Sequence, residues 1–162
     1  MSPIQQFNAE ILERVEHLGK DADLQALSRI WIREITPYKW AYNFSWMGRP
    51  AIQFPNDAWA MQELIWQVKP DLIIETGIAR GGSVIFYASM LELLASCGHG
   101  EGFVVAVDID IRAVNRQAIA AHPMSRRIEM IEGSSIAPEV IAQIQAKTQG
   151  RRRVLVCLDS NH

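Results

Sequence analysis

Apolar positions along this chain change their spacing twice, and each change marks a different kind of element. Up to Pro37 they recur at helical intervals. Asn8 is placed to cap a first helix with Ile11, Val15 and Leu18 on one face, stopped at Gly19. A second helix runs from about Asp23 through Leu24, Leu27, Ile30 and Trp31 and halts before Pro37. The interval then becomes two: Tyr38, Trp40, Tyr42, Phe44 and Trp46 alternate as in a strand, until Gly48, Pro50 and Pro55 break the pattern. Asp57 reads as the cap of a third helix, with Met61, Leu64, Ile65 and Val68 on its face and Pro70 at its end.

From Asp71 onward short apolar runs alternate with helical segments. The runs are DLIIET, FVVAVD, RIEMIEG and VLVCLD. They are nearly continuous rather than alternating, which predicts strands buried on both faces. Helices are predicted from Ser83 to about Ala95, Ile111 to about Ala121, and Pro138 to about Lys147. This rhythm predicts an α/β fold: a Rossmann-like doubly wound parallel sheet of strand order 3-2-1-4, with an N-terminal helical and aromatic extension. The expected division is residues 1–56 for the helices and aromatic covering segment, and 57–162 for a partial sheet domain. The sequence ends at LDSNH, directly after the fourth strand, which would leave a long apolar edge. The expectation is therefore a piece of a longer chain, or an edge covered by a partner.

Composition narrows the function classes. A net charge of −2 at pH 7 gives no electrostatic case for nucleic acid or an acidic membrane. The basic run Arg151 to Arg153 reads as a solvated turn before a strand. Two cysteines, Cys97 and Cys157, are too few for a disulfide framework and read as small core residues in a reducing compartment. The N-terminus has no signal-peptide pattern, and no run approaches the ~18 apolar residues of a membrane span. A cytoplasmic protein is expected. An oligomer is expected too, because the apolar edge and five tryptophans need covering.

The candidate chemistry centres on Glu75-Thr76-Gly77-Ile78-Ala79-Arg80-Gly81-Gly82-Ser83, a strand-to-helix turn. It lacks the lysine of a P-loop, and its G-x-x-x-G-G spacing is not the G-x-G-x-x-G of dinucleotide folds. Glu75 would repel a pyrophosphate but suits a cationic ligand such as S-adenosylmethionine. The bland alternative is a tight turn that holds nothing. Asp108 ends the second strand, where an acid accepts hydrogen bonds from ribose hydroxyls. Its distance from Gly77 exceeds the usual roughly 20 residues, and the insert SCGHGEG accounts for the excess. Asp110 reads as the cap of the next helix. Ser134 and Ser135 follow the third strand, placed either to face an adenine or to cap the helix at Pro138. Asp159 ends the fourth strand and should face the glycine turn across the switch point, as metal ligand, general base or cap.

The run YNFSWMGRPAIQFPNDAWAMQELIWQVKPDLIIETGIARGGS, with VDIDIR, IEGSS and VCLDSNH, resembles the cephalosporin hydroxylase family from about Ser28 to His162. The resemblance implies a class I S-adenosylmethionine-dependent methyltransferase, a group that includes rhamnosyl O-methyltransferases. It implies that Glu75, Gly77, Gly81 and Gly82, with Ala79 and Ser83, cradle the methionine part of the cofactor. Asp108 would hold the ribose, with Ser134 and Ser135 near the adenine. Asp159 would be the first carboxylate of a divalent-metal site, Mg²⁺ by resemblance, to which the family adds an acidic pair ending the next strand. His162 is a candidate general base beside Asp159. The aromatic segment from Tyr38 to Trp46 is either an extended strip on the core or a lid over a small-molecule substrate, and Arg49 and Gln53 are candidate substrate contacts. The expected activity is metal-assisted O-methylation of a sugar or small natural product. The alternatives are a cofactor-binding domain without catalysis and a nicotinamide-dependent oxidoreductase.

Overall fold

The computed structural model of the protein describes residues 2–160. The described chain divides into two compact units, one ending at Trp40 and one beginning at Ala41. The first holds α1 (Pro3–Lys20) and α2 (Ala22–Ile35). Helix α1 starts well before Asn8, because Ser2 and Gln5 form a reciprocal capping box and Pro3 takes the first turn, where its missing N–H costs nothing. Asp21 caps α2 by accepting from the amides of Asp23 and Leu24. Trp31 meets Trp40 edge-on, with ring centroids 5.2 Å apart. No residue of either helix is buried.

The alternating aromatic stretch is a strand only at its end. Thr36–Tyr38 and Trp40–Asn43 are 3-10 turns, and extended backbone begins with β1 (Phe44–Trp46). Strand β1 pairs antiparallel with β2 (Arg49–Ala51) through Met47 and Gly48, both at positive φ. That is the two-residue hairpin whose twist matches its strands. Phe54 caps α3 (Pro55–Val68), not Asp57, because Pro55 already supplies the fixed φ of the first helical position; Asp57 sits in the first turn.

The second unit contains the predicted sheet. Strands β3 (Leu72–Thr76), β4 (Phe103–Asp108), β5 (Ile128–Glu132) and β6 (Val154–Leu158) are parallel, in spatial order β5-β4-β3-β6. Helices α4 (Gly82–Ser96), α5 (Ala113–Ala120) and α6 (Pro138–Thr148) form the crossovers. Strand β3 is buried at every position, and α4 is apolar nearly all round because sheet, α3 and hairpin enclose it. One face of the sheet packs Ile73, Val104 and Ala106 under α4; the other packs Leu72, Ile74 and Val105 toward Val140 of α6. Burial fails on β6, where Val154, Val156 and Leu158 are exposed and Cys157 is buried. Cys97 is exposed at the end of α4 and is not a core residue. No helix among the described residues is long and apolar enough to cross a membrane.

Polar contacts at its turn fasten the hairpin to the rest of the second unit. The His122 ring donates from Nε2 to the Met47 carbonyl at 3.1 Å and accepts from the Met124 amide at Nδ1. Trp46 Nε1 donates to Ser89 Oγ at 3.0 Å. Ile73→Ala, at a fully buried position of β3, should lower stability by about 2–5 kcal/mol. Val156→Ala, on the exposed face of β6, should change it by less than about 0.5 kcal/mol. Urea unfolding followed by circular dichroism checks both.

Candidate active site

The carboxyl ends of the four parallel strands meet at one cleft of about 380 Å³. Its floor is the turn after β3. Gly77 donates to the Val107 carbonyl at 2.8 Å, and a side chain there would strike the backbone of Asp159, so only glycine lets these strand ends close. Gly82 opens α4 where Pro50 and Ala51 cross it, leaving no room for a Cβ. Ala79 lies between them at φ 44°, a conformation that costs a non-glycine residue energy.

Asp108 sets the shape of this turn. Its Oδ2 accepts from the amides of Ile78 at 2.7 Å and Ala79 at 3.3 Å, and its Oδ1 from the amide of Asp110 at 3.2 Å. A carboxylate offers about four lone-pair sites, so Oδ1 keeps capacity toward the cleft. Asp110 does not cap α5: the helix starts after Arg112, which takes the cap position without a side-chain hydrogen bond. Asn115 donates to the Ala79 carbonyl at 2.8 Å, while Arg49 donates to the Arg80 carbonyl from Nε at 3.0 Å and from Nη2. Arg49 thus braces the turn from the hairpin, rather than standing free for substrate. Gln53 does line the cleft.

Most of the predicted residues converge. Gly77, Ala79, Gly82, Ser83, Asp108, Ser134, Ser135 and Asp159 all line this cleft. Gly81 does not, because it faces the Ile119 side chain. His162 lies outside the described residues. Thr76 and Ser160, whose hydroxyls are 3.3 Å apart, join the lining without having been singled out. Nothing in the sequence distinguishes them from ordinary strand-end residues.

Glu75, expected to cradle the cofactor, lies beneath the cleft and is not part of its lining, because the neighbouring strands bury it. It lies in the plane of the sheet between Ala106 and Cys157, with no exposed surface, and neither carboxyl oxygen has a hydrogen-bond partner among the described residues. Burial pushes its pKa up to about 8, and the carboxylates of Asp159 and Asp108 add to the rise. The Ser83 hydroxyl opposes it without reaching hydrogen-bond geometry. Burial likewise raises Tyr87 and Cys157 beside Glu75, and Asp159 across the cleft. Three acids thus gather under and around one turn.

A parallel sheet whose ligand cleft opens at the topological switch point, over a strand-turn-helix without a phosphate-binding lysine, defines a Rossmann-like cofactor-binding domain. Residues 38–162 match the family model Rhamnosyl O-methyltransferase/CmcI, and the chain belongs to that family. A rhamnosyl O-methyltransferase of Mycobacterium leprae (strain TN) is 32% identical over 132 residues, which is 77% of this chain and 54% of that protein. One from Mycobacterium bovis (strain BCG / Pasteur 1173P2) is 30% identical over 136 residues, covering 77% and 51%. The chain spans about half the length of the curated relatives it matches. Solved structures of CmcI share the fold: one with SAH at TM-score 0.52 and 14% identity, covering 74% of this chain and 54% of that one. Another, with Mg-SAM, has TM-score 0.55 and 15% identity, covering 74% and 47%.

The Glu75 carboxyl carries a stability signature. Its folded pKa lies above its unfolded one, so between about pH 4.5 and about 8 the folded chain holds a proton that the unfolded chain has lost. Its contribution is fully present below that window and is lost as pH rises through it. Glu75→Gln should flatten the fall in melting temperature across this range, measured by thermal denaturation at half-unit pH steps.

Proposed function

We propose that this domain binds S-adenosylmethionine in the strand-end cleft and serves an O-methyltransferase acting on a hydroxyl of a sugar or small natural product. The observation that carries this reading is the placement of Asp108 and Asp159 on a strand-end cleft whose glycine turn has no lysine. Such a site favours a cationic, phosphate-free ligand. The volume of about 380 Å³ is in the usual range for small-molecule sites. Relatives named as rhamnosyl O-methyltransferases, and CmcI with Mg-SAM, support the same class.

The roles follow from position. Asp108, with lone-pair capacity left on Oδ1, accepts the ribose hydroxyls while it pins the turn. Ser134 and Ser135 offer hydroxyls at the end of the cleft next to β5, where an adenine edge would be read. Pro50 of the hairpin and Ile52 just after it wall one side of the cleft. Bound there, the cofactor supplies an electrophilic methyl group on a cationic sulfur. Asp159 takes the proton of the acceptor hydroxyl, a task for which its burial-raised pKa suits it. Asp159 is also the candidate Mg²⁺ ligand. Among the described residues no three His, Cys, Asp or Glu side chains group to hold a metal, and Asp159, on the cleft wall, is the residue that would contribute to holding Mg²⁺ there.

Titration calorimetry with S-adenosylhomocysteine tests the reading. Binding is expected, with a loss of roughly tenfold or more in Asp108→Ala. Asp159→Asn should retain binding and abolish methyl transfer. Absence of binding, or undiminished binding by Asp108→Ala, would sink the proposal.

A further inference from the structure

A second cavity, of about 390 Å³, shares the Gln53 wall with the cofactor cleft and has a different character. It lies between the hairpin, α3 and α4, and none of the residues lining it is charged. Its polar members are Ser45, Gln53 and Gln62. The rest of the lining is dominated by aromatic and aliphatic side chains.

The floor is pre-formed. Phe86, 3% exposed, meets Trp46 edge-to-face with centroids 4.9 Å apart. The indole N–H of Trp46 is already committed to Ser89 Oγ, which in turn donates to the Phe86 carbonyl at 2.7 Å. The ring of Trp46 is therefore left as an apolar wall with no polar demand of its own. Met90 supplies a wall that adapts to shape. At the mouth, Trp59 and Leu93 stand 70% and 57% exposed, a rim of large apolar groups turned to solvent.

These walls select their occupant. An ionised group would enter without a partner, at a cost of several kcal/mol. Edge and face positions on Trp46, Phe86 and Trp59 favour an aromatic ring over a saturated one of equal size. An apolar cavity of about 150 Å³ takes one benzene, so this one has room for a fused pair of rings. Gln53 lies on the boundary with the cleft that Asp159 lines, so a hydroxyl on such a ring system has a polar route to the reacting end.

We propose that this cavity seats an uncharged aryl group of the methyl acceptor and directs its hydroxyl past Gln53 into the cofactor cleft. The assignment rests on the methyltransferase reading above. Titration calorimetry with 2-naphthol, 2-naphthoate and 2-decalol, each with S-adenosylhomocysteine present, tests it. The naphthol should bind roughly tenfold or more tighter than either of the others. Ala58→Leu, which fills the cavity from α3, should remove that preference. Trp59→Ala, at the exposed rim, should weaken naphthol roughly threefold without threatening the fold. Neither variant should alter S-adenosylhomocysteine affinity. Equal affinities for the three probes, or naphthol binding unmoved by both variants, overturns the cavity assignment while leaving the cleft reading intact. Failure to bind S-adenosylhomocysteine, with the naphthol preference retained, overturns the cleft reading and the acceptor role together.

Discussion

The site depends on a single carboxylate gripping the start of a turn. Asp108 ends β4, yet its oxygens take the amides of Ile78 and Ala79 that follow β3. Without that grip the turn would have no reason to hold Ala79 at positive φ. The grip reaches outward as well: Ala79 is held by Asn115 of α5, and Arg80 by Arg49 of the hairpin. Sheet, crossover helix and hairpin thus converge on the backbone of Ile78, Ala79 and Arg80. Charge-assisted bonds of this kind are among the stronger available to a chain.

Beneath that turn the chain tolerates a cost. Burying Glu75 without a hydrogen bond is unfavourable in either protonation state, and worse when it is ionised. The strain sits beside two further acids and against Tyr87 and Cys157, whose own ionisation burial also suppresses. Such concentrations of perturbed groups mark functional sites more often than structural ones. A core selected for stability alone would put an apolar residue at this position of β3.

The sheet was legible because its strands are continuous apolar runs bounded by punctuating residues, and no competing pattern crosses them. The elements misjudged are those where a local rule had a rival. Asp57 lost the cap position to the Phe54-Pro55 pair, since proline sets the first helical φ by itself. Asp110 lost it because α5 begins only after Arg112, which leaves Asp110 outside the cap position. The aromatic alternation from Tyr38 to Trp46 mixes 3-10 turns with a short strand, two conformations that a spacing of two residues does not separate. In the cleft, the glycines and strand-end acids announced themselves through residue type. Thr76 and Ser160 did not, nor did Asn115 that braces the turn from α5, because ordinary polar residues acquire their place from the fold. Glu75 was recognised, but its depth was not: only the neighbouring strands bury it.

The hairpin of Phe44–Trp46 and Arg49–Ala51 is a party wall between two rooms. One side closes the cleft through Pro50, and the other closes the apolar cavity through Trp46 and Ala51. Its anchors are few and specific: a ring nitrogen on Met47, an indole on Ser89, a guanidinium on Arg80. A ligand that shifts this wall from one side reshapes the space on the other. Thermodynamic linkage then makes the effect mutual, so each occupant must change the other's affinity by the same factor. The two rooms keep separate chemistries, but they cannot keep separate books.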